Sequence, residues 1–293
     1  MERIAIVTLT GYFNFGNRLQ NYALAKVLQD KGFEVYTVWN KGKKERLKDA
    51  IKCTIPFKNK YKRFKIFRSF SRKFLKEITL NDIQKRKIKK IVVGSDQVWN
   101  PKYYEEDNSY LYNPKYGESV YSYAASLGTS KLEEKYHEVY RDTLKKYEKI
   151  SVREKSAEEE LKKVVGRDDI ITVVDPTLLV KRESWSKIEK RPKHFDENKK
   201  YILKYFLGEI SEEEQESISK FALENNYEII DILDENDNAY VSGPEEFLYL
   251  IDHSVLVCTD SFHSCVFSFI FDKPFTVFKR KGCSDYMYSR IEN

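Results

Sequence analysis

Glycine, proline, cysteine and histidine are all scarce in this 293-residue chain, at 11, 7, 4 and 4 residues. So little glycine and proline argues against a low-complexity or linker-rich chain. The four cysteines, Cys53, Cys258, Cys265 and Cys283, show no metal-ligand spacing. Cys258 and Cys265 read as small apolar core residues, and the set reads as belonging to a reducing, cytoplasmic setting. No metal and no resident cofactor are expected. Long apolar runs are missing too, and none approaches the roughly 20 residues needed to span a bilayer. The N-terminal stretch MERIAIVTL reads as a strand rather than a signal peptide, because its apolar part is short and runs into a Gly/Asn loop.

What is present is globular: 41% hydrophobic and 14% aromatic residues, in a length that suits two domains. The net charge of +6 is unevenly placed. Residues 41–90 hold 20 Lys/Arg and 4 Asp/Glu, a local +16, which leaves −10 for the other 243 residues. A basic segment on an otherwise acidic protein points to an anionic partner: phosphate, acidic glycan or lipid headgroups.

The hydrophobic period alternates between strand and helix along the chain. Strands are expected at 4–8, 33–39, 91–93, 120–125, 150–152 and 170–174, and helices at 18–30, 132–147 and 154–164. In the second half, strands at 201–207, 227–233, 255–258 and 275–278 alternate with helices at 212–224 and 245–251 and one after Cys258. This is the pattern of parallel βαβ units. Between the second and third strands, Phe57, Tyr61, Phe64, Phe67, Phe70, Phe74 and Ile78 recur every three or four residues with Lys/Arg between them, an amphipathic helix. The expected fold class is α/β, two Rossmann-like domains facing a cleft in the glycosyltransferase-B-like manner. Residues 1–180 form the first domain, with a basic helical insertion at 41–90; residues 181–293 form the second. The chain stops at 290–293 without a capping element, so the natural protein is expected to continue into a closing helix. The basic helix is expected to pack its aromatic stripe on the first domain. Contact with an anionic membrane surface is a second use for it, and nucleic acid is disfavoured because no recognised module accompanies the charge.

Ligands in such folds bind at the carboxyl ends of the strands. Four loops lie there: 11–17, 94–101, 153–154 and 260–263. Thr259, Asp260 and Ser261 are helix-starting residue types, so His263 falls in the first turn of a helix after a buried strand. The N–H groups of that helix start suit an anion, and an imidazole there is a candidate acid or base. Loop 11–17 lacks the dinucleotide fingerprint, so a nicotinamide cofactor is disfavoured.

Six motifs occur in order: NFGNRLQNYAL at 14–24, VGSDQVWN at 93–100, SYAAS at 122–126, SVREKSA at 151–157, VDPT at 174–177 and TDSFHS at 259–264. Together they resemble the polysaccharide pyruvyl transferase family over nearly the whole chain. The resemblance implies phosphoenolpyruvate as donor and transfer of its pyruvate, as a ketal, onto a sugar acceptor in a cell-surface glycan or its lipid-linked precursor. It implies catalytic roles for His263 and Arg153, and a donor site formed by Arg153, Ser261, Phe262 and His263. Arg153 can form a bidentate pair with a carboxylate or phosphate, or it can pair with Glu154 at the rim. Asn14, Asn17 and Arg18 at a helix start, and Asp96, Gln97 and Trp99 after a strand, are candidates for holding the acceptor. Asp96 can equally cap a helix, and Trp99 can anchor a loop instead of stacking on a sugar. Asp260 either caps the His263 helix or orients the imidazole, and Asp175-Pro176 reads as a turn ending a strand. His137, His194 and His253 read as structural. One departure stands out. Many family members carry Arg two residues before the histidine, and here that position is Ser261; Arg18, Lys155 or the helix N–H groups are the candidates to replace it. A nucleotide-sugar glycosyltransferase of the same fold, or a non-catalytic glycan- or membrane-associated member, are the alternatives. The expected location is the cytoplasm, with the basic helix as a route to the inner face of the membrane.

Overall fold

The computed structural model describes residues 1–39, 58–102, 108–193, 195–196 and 198–281. The rest of the basic segment before residue 58, His194, Cys53, Cys283 and the chain end at 290–293 lie outside the described residues. Among the described residues the chain divides into two compact units, one of residues 1–39 and 71–179 and one of residues 58–70 and 180–281.

The first unit begins with β1 (Arg3–Val7), α1 (Phe15–Asp30) and β2 (Glu34–Trp39). After the basic helix α2 (Lys58–Phe74) come β3 (Glu77–Thr79), α3 (Leu80–Lys85), β4 (Lys90–Val93) and β5 (Ser119–Ser122). These strands form one parallel sheet in the order β3-β2-β1-β4-β5. Helix α4 (Glu134–Leu144) leads to β6 (Ser151–Val152), α5 (Lys155–Leu161) and β7 (Ile171–Thr172). The β6-β7 pair continues the sheet through parallel bridges from Tyr121 to Lys149 and from Ala125 to Val152. Both faces of the sheet are covered, as a parallel sheet requires. Ile4 and Ile6 of β1 pack with Leu24 and Ala25 of α1, while Ala5 and Val7 point into the larger cluster with Ile91, Val93 and Trp99. Helix α1 starts three residues earlier than its periodicity predicts, because Asn14 caps it by accepting the Asn17 N–H at 3.1 Å.

The second unit contains α6 (Arg182–Ser186), β8 (Tyr201–Tyr205), α7 (Glu212–Asn225), β9 (Glu228–Asp231), α8 (Pro244–Asp252), β10 (Leu256–Thr259), α9 (Phe262–Ile270) and β11 (Phe275–Val277). Its sheet is parallel in the order β11-β10-β8-β9. All five residues of β8 are buried, and Trp185 meets Phe267 edge-on at 4.9 Å. Burial pushes the thiols of Cys258 and Cys265 up to about 12, so both are inert core residues.

Two expectations change. The apolar repeat through Ile78 reads as helix, yet Ile78 sits in β3, paired beside Val38. A three-residue strand is too short to show its own period. The aromatic stripe of α2 divides: residues 58–70 group with the second unit, while Phe74 packs with the first unit's cluster around β1 and α1, edge-on to Tyr22 at 5.1 Å. Phe64, Phe67 and Phe70 are buried, and Lys62, Lys65 and Arg68 are exposed. The anchor is Arg63, 1% exposed. Its Nη1 donates to the Ile232 carbonyl at 2.8 Å and the Tyr240 carbonyl at 2.9 Å, at the carboxyl end of β9. Its guanidinium also lies 4.8 Å from the Tyr240 ring centroid.

Arg63→Ala deletes both donors and should destabilise the protein by about 3 kcal/mol in urea unfolding, against about 0.5 kcal/mol for Lys65→Ala on the exposed face. Gly94 tests the sheet rim. Its φ is +116°, and a Cβ there would lie 2.3 Å from the Tyr123 carbonyl oxygen. Gly94→Ala should therefore cost more than 2 kcal/mol by the same measurement. Gly117→Ala, with φ +70° but open space around it, should cost about 1 kcal/mol.

Candidate functional site

At the carboxyl ends of the first unit's strands, the polar residues form one buried network. Gln20 of α1 donates to Thr8 Oγ1 at 2.9 Å, and Thr8 Oγ1 donates to the Ser95 carbonyl at 2.8 Å. Ser95 Oγ donates to Asp175 Oδ2 at 2.9 Å. Arg153 Nη1 reaches the same oxygen at 3.1 Å, and its Nε reaches Glu154 Oε1 at 3.3 Å. Ser126 Oγ donates to Glu154 Oε1 at 2.6 Å. Asp175 Oδ1 accepts from Thr177 N at 3.0 Å and Thr177 Oγ1 at 2.7 Å. Its members follow different strands, so the network joins the ends of β1, β4, β5 and β6, the turn after β7 and helix α1. Burial alone would depress the Arg153 guanidinium; the charges of Glu154, Asp175 and Asp96 more than reverse this and raise it.

The sequence-predicted residues of this rim divide. Arg153 is 8% exposed and already engaged by two acids, with a third alongside. As it stands, the guanidinium holds the rim together rather than reaching outward as a ready anion clamp. Arg18 is fully buried, donates to the Leu9 carbonyl at 3.0 Å and lies 3.6 Å from Glu77, so it does not line the loop as expected. Trp99 is fully buried in the core, edge-on to Tyr147 at 6.1 Å. It anchors the loop and cannot stack on a sugar. Asp96, at φ +76°, accepts the Gln97 N–H at 2.8 Å, and its carbonyl accepts from Ser126 N at 2.9 Å. Gln97 and Asn100 pair at 3.0 Å beside Gly128, where a Cβ would lie 2.4 Å from Asn100 Nδ2. Asn14, Asn17 and Gln97 are half-buried and remain at the surface of the rim. Asp175 is the residue that sequence reasoning undervalued. An Asp before Pro and two before Thr signals a turn, and nothing in that signal announces the Ser95 and Arg153 contacts from 80 and 22 residues away.

The second unit carries its own rim. Thr259, the last residue of β10, donates from Oγ1 to the Tyr205 carbonyl at 2.6 Å and accepts the Ser261 N–H at 3.1 Å. Ser261 is the N-cap of α9, but its hydroxyl makes no cap bond. His263 is 7% exposed in the first turn, with the Phe262 ring edge-on at 5.3 Å. Asp260 neither caps the helix nor holds the imidazole. Its Oδ1 accepts from Leu207 N at 2.7 Å, and its Oδ2 accepts from Gly208 N at 2.8 Å and Arg280 Nε at 2.5 Å. Arg280 was not visible as a site residue in the sequence, since it lies 20 positions past Asp260 in a basic, irregular stretch.

For a cation, Glu189, Asp252 and His253 place ligand atoms within 4.8 Å of one another. Arg182 already pairs with Asp252 at 3.2 Å, and this cluster lies before β10, at the amino end of that strand. No helix among the described residues is long and apolar enough to cross a membrane.

Residues 14–282 match the family model for polysaccharide pyruvyl transferase. No protein of curated function matches the chain in sequence. Among solved structures, a Listeria monocytogenes protein described as a UDP-N-acetylglucosamine 2-epimerase superposes with a TM-score of 0.54 at 12% identity, over 100% of this chain and 82% of that one. S. aureus MnaA, solved with UDP, gives 0.52 at 13% identity over 94% and 79%. Anabaena HepE, solved with UDP and glucose, gives 0.51 at 8% identity over 94% and 80%. At these identities the likeness is one of fold, and it agrees with two Rossmann-like domains of glycosyltransferase-B type.

The buried network makes a stability prediction. Arg153→Ala leaves two buried carboxylates without their shared partner and should cost about 3–5 kcal/mol, read as a lowered melting temperature. Arg153→Lys cannot span both acids and should recover less than half of that loss.

Proposed function

This chain belongs to the polysaccharide pyruvyl transferase family, and we propose that it transfers pyruvate from phosphoenolpyruvate, as a ketal, onto a sugar of a cell-surface glycan or its lipid-linked precursor. The observation that carries the reading is the placement of His263: nearly buried, in the first turn of α9, directly beyond the carboxyl end of β10. Helix N-termini favour anions through their unpaired N–H groups and dipole. A donor anion seated there lies against an imidazole able to move protons near neutral pH.

The chemistry needs three events. A proton reaches the methylene carbon of the donor, giving an oxocarbenium-like centre at the adjacent carbon. One sugar hydroxyl adds there and loses its proton. The second hydroxyl adds as phosphate leaves with its electron pair, and its proton departs with the phosphate or the base. His263 is assigned the transfer to and from carbon and hydroxyl. Asn14, Asn17, Asp96 and Gln97 are assigned to the acceptor, as hydrogen-bonding groups at the first unit's rim. Arg153 is assigned the positioning of that rim.

A second reading is a nucleotide-sugar-dependent glycosyltransferase. Two features favour it: Ser261 where many family members carry Arg, and the occurrence of the same fold with UDP and glucose in the Anabaena protein. In either reading the reaction is cytoplasmic, and the exposed cations of α2 give an anionic lipid surface something to meet.

Incubating the protein with phosphoenolpyruvate and a panel of sugar acceptors should release phosphate and form an acid-labile ketal. His263→Ala should lower turnover by at least 100-fold while leaving the circular dichroism spectrum and melting temperature near those of the parent. Near-parental activity in that variant would remove His263 from the mechanism, and no turnover across the panel would count against pyruvyl transfer.

A further inference from the structure

The donor in the reading above carries a phosphate, and the sequence places a serine where a cation is expected. Arg18 is buried on the Leu9 carbonyl and Glu77, and Lys155 pairs with Glu158 at 2.8 Å. Within the second unit, a cation reaches the start of α9 from a different segment.

Arg280 lies three residues beyond β11. Its Nε meets Asp260 Oδ2 at 2.5 Å and its Nη2 meets the Asp260 carbonyl at 3.2 Å. Asp260 is the residue immediately before the N-cap of α9, so the guanidinium sits at the helix start. Gly208 makes this possible, because a Cβ there would lie 2.7 Å from Arg280 Cδ and 2.9 Å from its Cγ. The loop after β8, the end of β10 and the segment after β11 thus close on one carboxylate. Asp260 is fully used by this: two backbone N–H groups and one guanidinium. Arg280 is not. Its side chain retains 17% exposure, and its Nη1 donates to none of the described residues.

A second observation points to a ligand. A serine at an N-cap ordinarily accepts the N–H of the second or third helical residue. Ser261 is 4% exposed and does not do so. Ser264, in the same first turn, is fully buried, and its Oγ has no hydrogen-bond partner. Buried hydroxyls are rarely left unsatisfied in a finished structure. One such hydroxyl and an N-cap serine that makes no cap bond, in one helix turn beside a guanidinium with donors to spare, describe a cradle for an oxyanion.

We propose that Arg280, together with the Ser261 hydroxyl and the first-turn N–H groups of α9, binds the phosphate of the donor. The displaced cation at position 261 is thereby supplied from the β11 side. The proposal rests on the anionic donor of the reading above but not on which donor it is, because phosphoenolpyruvate and a nucleoside diphosphate present the same group.

Titration calorimetry on the full chain, with phosphoenolpyruvate and separately with UDP, separates the possibilities. One of the two should bind. Arg280→Ala should weaken that ligand about ten- to 100-fold, the weight of a charge-assisted contact, and Arg280→Lys should fall between. Unchanged affinity in folded Arg280→Ala overturns the proposal. If that variant unfolds because Asp260 loses its partner, Ser261→Ala and Arg280→Lys decide instead, since both leave a partner for Asp260. Each should weaken binding at least threefold, and parental affinity in both overturns the proposal. UDP binding that depends on Arg280, with no phosphoenolpyruvate binding, supports the cradle and overturns pyruvyl transfer. Phosphoenolpyruvate binding indifferent to these substitutions does the reverse. A parent protein that binds neither overturns both.

Discussion

Arg153 and the carboxylates around it are the constraint on which the first unit's rim depends. A guanidinium taken out of water is costly unless its donors and its counter-charges are all placed. Here the counter-charges come from Glu154, next in sequence, and Asp175, 22 residues on. Asp175 in turn needs Ser95 and Thr177, and the Ser95 carbonyl needs Thr8. Satisfying one ion therefore sets the ends of several strands relative to each other. The loops that follow those strands, where Asn14, Asn17 and Gln97 remain at the surface, inherit that order.

The two rims are electrically unlike. In the first, three acids surround one guanidinium, and the arginine is occupied. In the second, one acid faces one guanidinium that still has donors to give, next to a helix N-terminus. This contrast supports the proposed division of roles, with the sugar hydroxyls assigned to the first rim and the donor anion to the second. The same residue type, arginine after a strand, has opposite roles in the two places because of how many carboxylates each one meets.

Much of the architecture is legible in the sequence because the long elements carry strong periods. The alternation that marks β1, α1 and β2, or β8, α7 and β9, follows from burial on both faces of a parallel sheet. The position of His263 after β10 follows from the run ending at Cys258 and from the helix-starting residues behind it. The residues that were misread are those whose roles depend on partners far along the chain. Trp99 looks like a ring at a rim until Tyr147 and the core claim it. Asp260 looks like a cap until Leu207, Gly208 and Arg280 are brought to it. β3 is three residues long and hides at the end of a helical pattern. Local composition speaks to local structure; long-range hydrogen bonds and ion pairs leave no mark in it.

Helix α2 has a consequence for the order in which this protein can be made. Its anchor, Arg63, waits for carbonyl groups 169 and 177 residues downstream. On a ribosome, the aromatic stripe at Phe64, Phe67 and Phe70 emerges early, and its anchor has no partner until synthesis has passed Ile232 and Tyr240, about halfway through the second unit's C-terminal stretch. An aromatic stripe kept waiting this long is exposed to aggregation, which the dense positive charge of the same helix opposes. Expressing residues 1–180 alone would make that wait permanent, because the surface meant to cover the stripe would never be translated.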